Sequence, residues 1–198
     1  MFLTINKMST KYIVDNLSGQ TITGQPILRP YKSYTALLTQ SGNSSNQQNI
    51  TSGDLTIGVT YLIDDYDGQP DFTNVGAPNN NAGTFFVATG TTPNSWGFHT
   101  NLIYYYGAPV ATVLENTIGN IWFEYGATGI YNVNSNSLFT LDKTAISIDT
   151  YGQDGGYSAI IAYRDLDSTH FRIVTNKKPE GDSDNILYKN TLKITVYN

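Results

Sequence analysis

The sequence predicts an all-β fold, an antiparallel β-sandwich of jelly-roll-like kind carrying a smaller inserted β module, on three observations. The composition favours pleated, half-buried surfaces: 13% of residues are aromatic, 15 of them Tyr, against 14% charged. Apolar and polar residues alternate along most of the chain, while an i, i+3, i+4, i+7 pattern sustained over three helical turns occurs nowhere. Turn signals such as "YGQDGG" and "EGDSDN" punctuate the alternating runs at the spacing of sandwiches and barrels.

In chain order the alternation predicts strands at "KYIV" (11–14), "SYTALLTQ" (33–40), "LTIGVTYLID" (55–64), "GTFFVATG" (83–90), "PVATVLEN" (109–116) and "NIWFEY" (120–125). It continues through "IYNVN" (130–134), "LFTL" (138–141), "TAISIDTY" (144–151), "YSAIIAYRD" (157–165), "HFRIVTN" (170–176) and "LKITVY" (192–197). Tyr34, Leu37, Val113, Trp122, Ile146, Ile148, Ile161 and Ile194 are assigned to cores or interfaces. Two stretches, 40–53 and 74–83, are rich in Ser, Asn, Gln and Gly and read as exposed loops, because such side chains bury too little apolar surface to offset ordering. The expected organisation is an N-terminal arm over 1–30, a main sandwich from 31–52 and 103–198, and an inserted module over 53–102.

Composition also excludes functions. A net charge of -5 with scattered Lys and Arg argues against nucleic acid as a partner. The absence of Cys removes disulfides, thiolate metal sites and cysteine nucleophiles. No stretch approaches the roughly 20 apolar residues of a membrane span, and "MFLTINKMSTKYIV" lacks the apolar run of a secretory signal, so neither membrane insertion nor general secretion is expected. Met8 offers a second start, since "MSTKYIV" begins a cleaner strand.

The stretch with the most suggestive chemistry is "DDYDGQPDFTNVG" (64–76), where Asp64, Asp65, Asp67 and Asp71 surround Gly68. A calcium loop requires D-x-[DN]-x-[DN]-G and a bidentate Glu at position 12. With Gly68 at the glycine position, Asp65 and Asp67 fit positions 3 and 5, but position 1 is Ile63 and position 12 is Asn74. Asp65, Asp67 and Asp71 are weak metal candidates; the favoured reading is a hydrated β-turn in which Asp side chains bond nearby N–H groups and Gly68 takes positive φ. No metal and no cofactor are expected.

Glu115 and Glu124 flank a predicted turn and could approach across a hairpin as a glycoside-hydrolysing pair, but so could any two acids on neighbouring strands, and solvated turn acids are the favoured reading. His99 and His170 sit beside no nucleophile signature, and "GATG" (126–129) lacks the Lys and Ser/Thr of a phosphate loop. Catalytic residues are therefore expected to be absent. Aromatic faces suit sugar rings, which makes Trp96, at a loop end, and Tyr104 and Tyr105, in the run "YYY" (104–106), the candidate receptor-binding residues. In "NIWFEY" Trp122 alternates with Phe123, so one of the two packs the core.

The run "GVTYLIDDYDGQPDFTNVGAPNNNAGTFFVATGTTPNSW" resembles a module of structural proteins of tailed and other bacteriophages, in which a pattern close to GxTYxI…GDDFTNVGAxxNxxGxxFxATGTTPxxW is repeated or inserted. The segments "YKSYTALLTQSG", "GAPVATVLENTIGNIWFEYGATGIYNVNSNSLFT" and "LKITVYN" resemble companion segments of such proteins, so the likeness spans most of 31–198. The resemblance implies a non-enzymatic virion part, a fibre, spike or decoration component assembled in the host cytoplasm, with copies of itself (a homotrimer), other head or tail proteins and a host surface glycan as partners. One departure weakens any metal role: where the family has "GDDFTNVG" this chain has "GQPDFTNVG", keeping Asp71 but placing Gln69 and Pro70 before it.

Overall fold

The computed structural model describes residues 30–149, 158–163, 167–177 and 181–198. The expected arm up to residue 29 and the strand at 11–14 lie outside them. Among the described residues there is no α-helix; thirteen strands carry the structure, with one turn of 3-10 helix at Thr73–Val75.

Two antiparallel sheets form the sandwich. The first has the order β6-β1-β13-β9, from β6 (Val110–Asn116), β1 (Tyr31–Thr39), β13 (Tyr188–Tyr197) and β9 (Thr144–Ile148). The second has the order β10-β11-β8-β7, from β10 (Ser158–Tyr163), β11 (His170–Lys177), β8 (Ile130–Ser135) and β7 (Ile121–Ala127), with the short β12 (Gly181–Asp182) also on β11. Strand periodicity selects the inner face: Tyr34, Ala36 and Leu38 of β1 point inward beside Ile194 and Leu192 of β13, their register partners being Tyr34↔Ile194 and Ala36↔Leu192. They meet Phe123, Tyr131, Val133, Phe171 and Ile173 of the second sheet. Each fully buried Leu, Ile or Phe contributes about 1.5–3 kcal/mol of transfer free energy, which makes this the main source of stability.

A third sheet, order β2-β5-β3-β4, belongs to the insert: β2 (Gln47–Ile50), β5 (Phe98–Tyr105), β3 (Thr60–Asp67) and β4 (Phe85–Val87). It has its own apolar centre of Leu55, Tyr61, Ile63, Phe72, Phe86 and Leu102. This sheet runs beyond the expected 53–102 at both ends, and β2 falls inside a stretch expected to be loop. The reason is that β2 is a polar edge strand ("QQNI") whose pairing to β5, Gln47↔Tyr105 through Ile50↔Leu102, does not require buried side chains. The predicted run 138–141 is not a strand: Ser137 and Asp142 hold positive φ on either side, and Phe139 is anchored by its N–H to Ser168 O (3.0 Å) and its ring against Phe171.

The insert is docked rather than tethered. Gly58 donates to Ala88 O (2.8 Å) within the insert and accepts from Ala111 N of β6 (2.9 Å). It holds φ +87°, and a Cβ there would stand 2.6 Å from Ala111 O, so only glycine fits. Thr60 Oγ1 accepts from Phe123 N at the free edge of β7 (3.1 Å), and Asn120 Nδ2 donates to Phe85 O (2.7 Å). Phe85 stacks on Trp122, ring centroids 5.4 Å apart and planes within 7°. At the root, buried Gln40 donates to Gly42 O and Gly107 O, tying the outgoing and returning chains together. Its Oε1 accepts from Asn185 N (2.6 Å) and lies 2.8 Å from the Tyr131 hydroxyl.

Candidate functional site

The acidic stretch leads out of β3 into a stitched turn. The backbone of Asp65 pairs with Asn101 and that of Asp67 with Phe98, with irregular register between them, and Asp64 accepts from Asn101 Nδ2 (3.1 Å). Asp71 stands apart, bridging Ser95 through its backbone. Its Oδ1 accepts from Thr73 N (3.0 Å) and Thr73 Oγ1 (2.6 Å), its Oδ2 from Asn94 Nδ2 (3.0 Å). These donors, the Thr73 hydroxyl foremost, hold its pKa down at about 2. Asn74 completes the latch, donating to Thr92 O (2.9 Å) and accepting from Asn94 N (3.0 Å). The segments "DFTN" and "TTPN" are thus one structural clasp. Among the described residues, no group of three His, Asp or Glu side chains is placed to hold a metal ion.

The aromatic candidates do not converge. Trp96 is half-buried, edge-on to Phe72 (5.3 Å, 86°), with Nε1 donating to Gly53 O (3.1 Å). Tyr104 packs edge-on to Tyr61 (5.7 Å) in the insert's core, and Tyr105, next along β5, points to the opposite face. The most exposed ring here is one the sequence reading passed over, Phe98, 70% exposed and packed against His99.

Glu115 and Glu124 do not face each other across a hairpin. They lie on β6 and β7, which belong to different sheets of the sandwich, and facing sheets stand about 10 Å apart. Glu124 is half-buried on the outer face of β7, its Oε2 accepting from Asn134 Nδ2 (2.7 Å); burial raises its pKa, against the lowering by that amide and by the nearby His170. His170 Nδ1 meets Asp167 Oδ2 (3.0 Å), and the Thr169 hydroxyl lies at the same nitrogen (3.3 Å). A nucleophile–base–acid relay needs its partners on opposite ring nitrogens, so this group cannot act as one. A small apolar cleft beside it, lined by Phe139, Leu141, Ile146 and Phe171, has about 20 Å³ of room, roughly that of a single water.

The feature left open is an edge. β6 ends the first sheet, and beyond the single bond from Ala111 to Gly58 no strand among the described residues pairs with its outer side. There Val113 (36% exposed) and Leu114 (60% exposed) follow one another, and Ile57, beside Gly58 on the same edge, is 54% exposed. An exposed apolar edge strand is a template for another strand, and here the strand bulges outward in register: its pairing to β1 passes from Thr35↔Glu115 to Ala36↔Val113 and skips Leu114. The alternation in "PVATVLEN" gave the strand but not its place at the edge. No protein-family model matches the chain, and no match is found among curated proteins or solved structures.

Proposed function

We propose that the chain is a non-enzymatic structural component of a bacteriophage virion, a surface fibre, spike or decoration part that assembles with copies of itself and docks on head or tail. The observation that carries the self-assembly is the open β6 edge with Val113 and Leu114 exposed, since such an edge is a liability for a lone chain and a contact for an oligomer. An edge strand suits a second copy because each copy brings the same backbone donors and acceptors. The module that carries the phage resemblance fits a structural role: Asp71, Thr73, Asn74 and Asn94 bond to one another, and Tyr61, Phe72 and Trp96 pack its interior. Particles purified from a producing host and labelled with antibody to this chain test the virion role. Gold on the particle surface, with the chain at a constant ratio to other particle proteins, is expected; a chain found only in the particle-free fraction would defeat the proposal.

A further inference from the structure

The outer face of the second sheet carries a polar array that the structural role does not use. The register sets Trp122, Asn134 and His170 side by side across β7, β8 and β11, and Glu124, Asn132 and Arg172 in the next row. With strands about 4.8 Å apart and alternate residues about 6.8 Å apart, the six positions span roughly 10 by 7 Å. That is the footprint of one or two sugar rings. All but Arg172 are half-buried, and Phe85 stacked on Trp122 walls the face on the insert's side.

Several of its polar groups are uncommitted. Glu124 uses Oε2 on Asn134, which leaves Oε1 open. The Asn132 amide has no bonding partner among the described residues. His170 engages its surroundings through Nδ1, leaving Nε2. Open acceptors and donors held at fixed spacing on a half-buried sheet face are the groups that vicinal hydroxyls satisfy, each hydroxyl both donating and accepting. The carboxylate of Glu124 within the array repels a like-charged ligand, which favours an uncharged saccharide over an acidic one.

We propose that this face binds a neutral saccharide, with Glu124, Asn132 and His170 as the contacting groups and Trp122 as a wall. The site is separate from Trp96, Tyr104 and Tyr105 and does not depend on the virion reading. The test is retention of the full chain on immobilised neutral oligosaccharides of glucose, galactose, N-acetylglucosamine and rhamnose, with a polyuronate alongside. Retention on at least one neutral probe is expected, weakened at least tenfold in Glu124→Ala and in Asn132→Ala and unchanged in Lys193→Ala, on the first sheet. Should Glu124→Ala lower the melting temperature, Glu124→Gln is read in its place, because its amide oxygen still accepts from Asn134. No retention on any neutral probe, retention on the polyuronate alone, or retention that Glu124 and Asn132 variants leave intact would overturn the proposal.

Discussion

Phe72→Ala should collapse the insert while leaving the sandwich standing. Phe72 is fully buried, stacked on Phe86 (6.1 Å, 27°) with Trp96 edge-on to it. A buried aromatic ring takes about 150–250 Å² from water, worth about 4–6 kcal/mol at roughly 25 cal/mol/Å² as an upper bound. Core truncations of Phe to Ala cost about 3–5 kcal/mol, and about 4 is adopted here. A unit of roughly 60 residues holds about 3–9 kcal/mol in all, so the loss removes from about two-fifths of it to the whole. The two tryptophans report differently on the two bodies: Trp96 packs against the insert's apolar centre, whereas Trp122 packs against the sandwich's and carries Phe85 of the insert stacked on it. The main Trp122 transition therefore follows the sandwich, and loss of the insert shows as a change in its pre-transition baseline. In a Trp122→Phe background, urea unfolding followed by Trp96 emission should show its midpoint fall by about 2 M, given a slope of about 1–3 kcal/mol/M. In a Trp96→Phe background the Trp122 transition should move far less. A Trp96 midpoint lowered by under about 0.5 M, or equal movement of both transitions, would refute the reasoning.

Gly58→Ala should cost at least about 1 kcal/mol more than Gly83→Ala, because both positions hold positive φ but only Gly58 faces backbone within 3 Å of the added Cβ; paired urea melts check it. Asp71 is held at about pH 2 against an unfolded value of 3.8, so its stabilisation is present above 3.8 and is lost as pH falls toward 2. Acid titration of Tm should therefore be shallower in Asp71→Asn than in the parent. Glu124 has the opposite sign: its folded pKa is raised, so stability falls as pH rises from the ordinary carboxylate value through the folded one, and Glu124→Gln should remove that decline from melts recorded between pH 4 and 7.

The sandwich strands were legible where one face is buried. "SYTALLTQ" and "LKITVY" alternate because Tyr34, Ala36, Leu38, Leu192 and Ile194 all point into one core, and the period of two survives in the sequence. Of the other residues assigned to cores or interfaces, Leu37, Trp122, Ile146 and Ile148 are only partly buried and Val113 stands at the open edge. β2 was illegible for the converse reason: "QQN" is exposed on β2, and only its backbone pairing to β5 makes it a strand. β5 was hidden because "FHTNLIYY" buries Leu102 and Ile103 in succession, so its alternation is broken. For the candidate residues, composition could name Trp96 as aromatic and Glu124 as acidic. It could not show that Trp96 faces Phe72, nor that Glu124 shares a face with Asn132 and His170, since strand order and register decide both. Gln40 gave no signal at all, yet it ties both ends of the insert to the sandwich.

The central claim, assembly through the β6 edge, is tested most directly by the solution mass of the purified chain from light scattering, with and without EDTA, beside Leu114→Lys. The account predicts a stable oligomer, three chains of 21.8 kDa by the phage resemblance, indifferent to EDTA and shifted toward monomer by a charge at Leu114. A monomer at every concentration, or an oligomer that Leu114→Lys leaves intact, would contradict it.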